Sequence, residues 1–125
     1  MQTKFIIFII AVVLIIGGYG IYSSMQPPKP GKLDAFAQCL KTSRAEFYGT
    51  FWCPHCQAQK ELFGSSKKYL PYIECSTPDS QGQTQICKDK AIEGYPTWVF
   101  ADGTRLSGEI PLETLASKTS CVLPL

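Results

Sequence analysis

The spacing of apolar positions divides the chain into three stretches. From Phe5 to Tyr22 there is no charged residue, and Ile, Val, Leu and Phe dominate. That run lies at the short end of the roughly 17–25 residues that cross a bilayer as a helix. A cleaved signal peptide is the competing reading. The run exceeds the usual apolar core of such peptides, roughly 7–15 residues, and Gly17-Gly18-Tyr19-Gly20-Ile21-Tyr22 closes it without a clean small-x-small site. An uncleaved transmembrane anchor over residues 1–23 is therefore expected. Residues 24–32, with Pro27, Pro28 and Pro30, read as an extended, semi-rigid linker. A single domain over residues 33–125 follows.

Inside that domain the period alternates between helix and strand. Leu33, Phe36, Ala37 and Leu40 fall at helical spacing and predict a helix to about Thr42, with Cys39 on it. Ala45 to Tyr48 reads as a buried strand. Pro54 to about Leu70 is rich in helix formers, with Gly64-Ser65-Ser66 as a point of interruption. Tyr72 to Cys75 is a second strand, and Ser76 to Gln83 is a loop marked by Pro78, Asp79 and Gly82. Thr84 to Ala91 predicts a short helix carrying Cys87. Trp98 to Phe100 and Arg105 to Ser107 form a hairpin around Ala101-Asp102-Gly103-Thr104, where Asp-Gly supplies positive φ angles. Pro111 to about Ser120 closes the chain as a helix with Leu112, Leu115 and Ala116 on one face. No internal repeat is present.

Composition and charge narrow the function classes. The chain has 125 residues and a formal net charge of +2, with no Lys/Arg run and no basic-aromatic interleaving, so a nucleic-acid partner is not expected. Six cysteines in so short a domain suit an oxidising compartment. Lys29, Lys32, Lys41 and Arg44 beyond the apolar run oppose export by the positive-inside rule. The cysteines carry more weight. A single-pass membrane protein, a monomer with its domain on the periplasmic or extracellular face, is the resulting expectation.

The candidate chemistry sits at Thr50-Phe51-Trp52-Cys53-Pro54-His55-Cys56-Gln57, between a predicted strand and a predicted helix. Proline directly after Cys53 suits a first helical turn. There the free backbone N–H groups and the positive end of the helix dipole favour an anion, hence the thiolate of Cys53. His55 pushes the same way. Cys53 is then the attacking thiol, and Cys56, one turn further in, resolves the mixed disulfide formed on Cys53. A lone Cys-x-x-Cys lacks the two further ligands a zinc site needs, so no metal is expected. Haem attachment would require histidine where Gln57 stands. No cofactor is expected beyond the redox-active Cys53–Cys56 disulfide itself.

Cys53-Pro54-His55-Cys56 at a strand–helix turn, together with Tyr95-Pro96-Thr97 before a strand and hairpin, resembles the thioredoxin fold. Phe47 to Cys56, Tyr72-Ile73-Glu74-Cys75 and Glu93-Gly94-Tyr95-Pro96-Thr97-Trp98 resemble more closely the thioredoxin-like domain fused to, or partnering, bacterial vitamin K epoxide reductase homologues. The likeness covers roughly Leu33 to Cys121. It implies an α/β domain with a central mixed sheet flanked by helices, following the N-terminal transmembrane helix. It implies an oxidoreductase that oxidises thiols of exported proteins and is itself re-oxidised by a quinone-linked membrane oxidase, here a separate partner. It also implies a cis Pro96 facing the dithiol, with Trp52, Tyr95, Pro96 and Thr97 around an extended substrate held by strand addition. The histidine before the second cysteine matches the oxidant DsbA, so a potential more oxidising than thioredoxin's about −270 mV is expected.

Thioredoxins carry a buried acid ahead of the motif. Glu46 is the candidate, but it lies one residue further from Cys53 than the family spacing, and a surface position or a lysine partner is equally open. The four other cysteines allow three pairings. Cys75–Cys87 and Cys39–Cys121 are favoured as structural disulfides, and a shuttle role for either pair is the alternative. Phe51 and Trp52 are expected to form an apolar collar around Cys53. Two other functions remain: a disulfide reductase fed by a transmembrane electron donor, and a non-catalytic tethered binding module.

Overall fold

The computed structural model describes residues 1–26 and 29–124; Pro27 and Pro28 of the expected linker lie outside the described residues, as does Leu125. Helix α1, Gln2–Met25, is long and apolar enough to cross a membrane, and none of its residues is buried in the protein. Its ends lie beyond the uncharged stretch because nothing between Gln2 and Met25 breaks a helix.

The domain runs α2 (Asp34–Thr42), β1 (Glu46–Gly49), α3 (Pro54–Glu61), a 3-10 helix (Gly64–Tyr69), β2 (Tyr72–Glu74), α4 (Gln85–Asp89), β3 (Thr97–Val99), β4 (Arg105–Ser107) and α5 (Leu112–Thr119). The four strands form one sheet in the order β2-β1-β3-β4, with β1 parallel to β2 and antiparallel to β3, and β3 antiparallel to β4. This is a mixed α/β, thioredoxin-like arrangement.

Neighbouring residues on β1 point to opposite faces of the sheet, and Phe47 and Tyr48 are both fully buried, so both faces are covered. On one face Phe47 stacks on Trp98 with ring centroids 4.8 Å apart, and Phe36, Leu40, Phe63, Leu70, Ile110 and Leu115 from the helices and connections complete the larger core. On the other face Tyr48, Ile92 and Val99 pack with the Cys75–Cys87 disulfide beside α4.

Helix α4 spans Gln85–Asp89 rather than Thr84 to Ala91, and three further features differ from the sequence expectation. The helix after the motif ends at Glu61 and re-forms as a 3-10 turn, because Gly64 takes a φ of +53°, and the Ser66 hydroxyl in that turn accepts the Leu33 N–H at 3.1 Å. The hairpin turn has a positive φ only at Gly103, +80°. Asp102 instead accepts bonds from the Thr104 N–H (2.9 Å) and hydroxyl (2.6 Å), which suits a longer loop ending on a left-handed glycine better than a two-residue one. Glycine is the residue such a position favours. The last hydrophobic strand begins at Thr97, one residue before Trp98, since the peptide after Pro96 is already paired with β1 and β4.

Candidate active site

β1 ends at Gly49, and four residues later Cys53 is the N-cap of α3, with extended backbone (φ −80°, ψ 119°) and Pro54 as the first helical residue. Pro54 costs no hydrogen bond there, because the first N–H groups of a helix have no partner within it. Cys56 follows one turn on. Both carry free thiols. Cys53 keeps 6% of its surface exposed and Cys56 none.

The two sulfurs have unlike surroundings. The Cys53 thiol faces the Tyr95 carbonyl oxygen at 3.8 Å, where the Tyr95–Pro96 peptide is cis. Burial pushes the Cys56 thiol up to about 12. The backbone N–H of Thr50 opposes that rise, the adjacent Cys53 adds to it, and the positive charge of Lys60 draws it down a little. At neutral pH Cys56 is therefore held as the protonated thiol.

Around this pair the exposed surface is aromatic. Phe51 and Trp52 are 47% and 52% exposed. The Trp52 indole N–H donates to the Ser76 hydroxyl at 2.9 Å, and its ring meets Tyr95 edge-on at 6.3 Å. Gln83 donates its amide to the Tyr95 hydroxyl (2.7 Å) and to the Ile92 carbonyl (2.7 Å). Ser76 and Gln83 are bridged to each other across the polar loop that the Cys75–Cys87 disulfide closes. That loop thus holds both aromatic walls. Thr97 and Pro96 are buried, and the Thr97 hydroxyl is occupied by the Gly94 carbonyl (2.8 Å) and Ser107 (3.1 Å).

His55 projects outward from α3, and its Nδ1 lies 2.7 Å from Glu109 Oε1. Glu109 is held there by its neighbour: the fully buried Gln59 on α3 accepts the Ile110 N–H at 2.6 Å and donates to the Ile110 carbonyl at 3.0 Å. Glu46 turns elsewhere. It accepts the Tyr48 hydroxyl at 2.8 Å and pairs with Lys90 at 3.2 Å, so of the two positions left open for it the lysine partner is the one found. Glu74 lies against the segment that leads into the motif. It accepts N–H bonds from Phe51 (3.2 Å) and Ser76 (2.9 Å) and the Tyr72 hydroxyl (2.8 Å).

Glu74, Tyr72, Lys60 and Glu109 have no motif to announce them. The one signal for Glu74 is register, since parallel pairing of β1 with β2 sets it opposite Gly49, the strand residue that leads into the motif. Cys39 is bonded to Cys121 and Cys75 to Cys87, tying α2 to the C-terminal end and β2 to α4. Among the described residues no group of three or more His, Cys, Asp or Glu converges as a metal site.

No protein-family model matches the chain. Over 89 residues, 68% of its length, it is 47% identical to the thiol-disulfide oxidoreductase LTO1 of Arabidopsis thaliana, covering 23% of that protein. It is 32% identical over 71 residues to a protein disulfide-isomerase of Humicola insolens, covering 53% of this chain and 14% of that one. It is 29% identical over 84 residues to the thioredoxin domain-containing protein 5 homolog of Drosophila melanogaster, covering 58% and 19%. The chain thus spans less than a quarter of the length of each of these relatives, and what it shares with them is a domain of thiol–disulfide oxidoreductases.

Proposed function

We propose that this chain is a membrane-anchored thiol–disulfide oxidoreductase that oxidises exported proteins through Cys53 and Cys56. The observation that carries the reading is the asymmetry of the pair: one sulfur at a helix start beside an exposed aromatic rim, the other wholly buried one turn below. In the oxidised form a substrate thiolate attacks Cys53 Sγ, the Cys53–Cys56 bond breaks, and Cys56 leaves with the electron pair. A second substrate thiolate then attacks the substrate sulfur of the mixed disulfide and releases Cys53. The products are a substrate disulfide and the reduced dithiol. Phe51 and Trp52 receive apolar segments of the unfolded substrate beside Cys53.

α1 tethers the domain outside the cytoplasm, and a quinone-linked membrane oxidase of the vitamin K epoxide reductase type takes two electrons to restore the disulfide. The resemblance of the motif regions supports the partner, and the 47% identity to a thiol-disulfide oxidoreductase supports the exchange chemistry alone. The test is a Cys56→Ala variant of the full chain, which cannot resolve mixed disulfides, followed by identification of what is attached to Cys53. Exported thiol proteins and a multi-pass quinone-linked oxidase are the expected adducts. A transmembrane electron donor in its place would make the chain a reductant, and function that survives Cys53→Ser would make it a binding module.

A further inference from the structure

The exchange chemistry proposed above leaves one proton unassigned, and this inference rests on that reading. When the Cys53–Cys56 disulfide opens, Cys56 departs as a thiolate into a position with no exposed surface. A thiol whose ordinary acidity is so strongly suppressed by burial must recover a proton at neutral pH, and open water does not reach it. A side chain has to bring that proton.

Such groups lie on the β2 side of Cys56. Gly49 lacks a side chain where Cys56 and β2 converge: a methyl group there would lie 2.9 Å from Cys56 Sγ and 3.0 Å from Cε2 of Tyr72. The Cys56 sulfur and the Tyr72 ring therefore close on each other over that glycine. The Lys60 ammonium sits 3.3 Å above the centroid of the same ring, one turn beyond Cys56 on α3. Tyr72 donates its hydroxyl to Glu74, whose carboxylate is also fixed by the Phe51 and Ser76 N–H groups. A cation over an aromatic face and near a carboxylate is held in place by both.

We propose that Lys60 is the proton donor to Cys56: as the disulfide opens, a proton passes from Lys60 Nζ to the departing Cys56 Sγ, directly or through one water, and returns when the disulfide closes. Tyr72 and Glu74 are positioning residues that hold the ammonium at this spot. Atoms and electrons balance. The substrate–Cys53 sulfur bond forms, the Cys53–Cys56 bond breaks, its electron pair goes to Cys56 Sγ, and Lys60 is left as a neutral amine. Lys60 is partly exposed, so solvent re-protonates it.

All three hydrogen-bond partners of Glu74 donate to its carboxylate, so its oxygens are already engaged by Phe51, Tyr72 and Ser76. Tyr72 is pushed upward by burial and by its bond to Glu74, and stays a phenol. Lys60 is moved the other way: burial draws it down, Glu74 and Cys56 oppose that, and Lys67 adds to it.

The experiment measures opening of the oxidised full chain, in detergent, by dithiothreitol in single turnover, with Trp52 fluorescence as the readout. Lys60→Met keeps the apolar stem across Tyr72 and removes the proton. Lys60→Arg keeps a cation that holds its proton throughout the range. Opening should slow by about a hundredfold in Lys60→Met, at the lower end of what a positioned acid supplies. Lys60→Arg should not restore it, and the solvent deuterium isotope effect of the wild type should vanish in both. Rescue by arginine would assign the effect to charge alone and overturn the proposal, as would an unchanged rate or an isotope effect that survives in Lys60→Met. Exchange that persists in Cys53→Ser overturns this proposal and the oxidoreductase reading together; exchange that needs Cys53 but ignores Lys60 overturns this one alone.

Discussion

Cys56 makes the reduced domain sensitive to alkali in a way that one substitution isolates. In the fold its thiol titrates at about 12, while an unfolded cysteine titrates at about 8.5. Between these values the native state keeps a proton that the unfolded chain has lost. Stability from this source is complete below about pH 8 and falls by about 1.4 kcal/mol for each pH unit as pH rises towards the folded value. By pH 11 the loss amounts to roughly 3 kcal/mol, a large share of the ~5–15 kcal/mol that holds a domain of this size together.

Two proteins separate this term from all others: Cys53→Ser, and Cys53→Ser combined with Cys56→Ala. Neither can form the active-site disulfide, so both are studied without reductant and both keep Cys39–Cys121 and Cys75–Cys87. Tyr48 and Tyr72 are also pushed upward, by burial first and then by Glu46 and Glu74 respectively, but both proteins contain them, so these effects cancel apart from the small part that Cys56 adds at Tyr72. Urea unfolding of the full chain in detergent, followed by tryptophan fluorescence from pH 7 to pH 11, gives the two curves. They should run parallel up to about pH 8, offset by the constant cost of the small cavity that alanine leaves, and then converge or cross as the Cys56 protein weakens faster. Curves that stay parallel through pH 11 would mean that burial does not hold the Cys56 proton.

Gly49→Ala forces a methyl group to 2.9 Å from Cys56 Sγ and 3.0 Å from the Tyr72 ring. A loss of about 1–3 kcal/mol in the urea midpoint is expected, with slower disulfide opening, and an unchanged midpoint would refute the close approach. Gln59→Leu removes both partners of the Ile110 peptide in a buried site, at about 1–3 kcal/mol for each unsatisfied group. Equilibrium unfolding should report a total of about 2–5 kcal/mol with no change in m-value, and a cost under about 1 kcal/mol would show that water replaces the glutamine.

The chemistry of the motif and the order of the elements are written locally. Apolar positions at period two or 3.6, proline after Cys53 and glycine at the turns each act within a few residues, so α2, β1, β2, β4 and α5 are legible along the chain to within a residue or so. The apolar stretch of α1 is legible for the same reason. Local pattern does not carry what depends on register and on crossing the sheet. Glu46 has a spacing close to that of a buried acid, yet β1 aims it at Lys90, and the carboxylate that bonds the segment leading into the motif comes from Glu74 on the neighbouring strand. Lys60 reads as an ordinary surface helix residue until α3 is laid across Tyr72, and Glu109 means nothing to His55 until Gln59 pins the Ile110 backbone. Sequence alone determined which thiols could react and where a helix would begin under them. Only the packed structure decided which charges meet those thiols, because partners far apart along the chain are brought together by strand pairing and burial rather than by spacing.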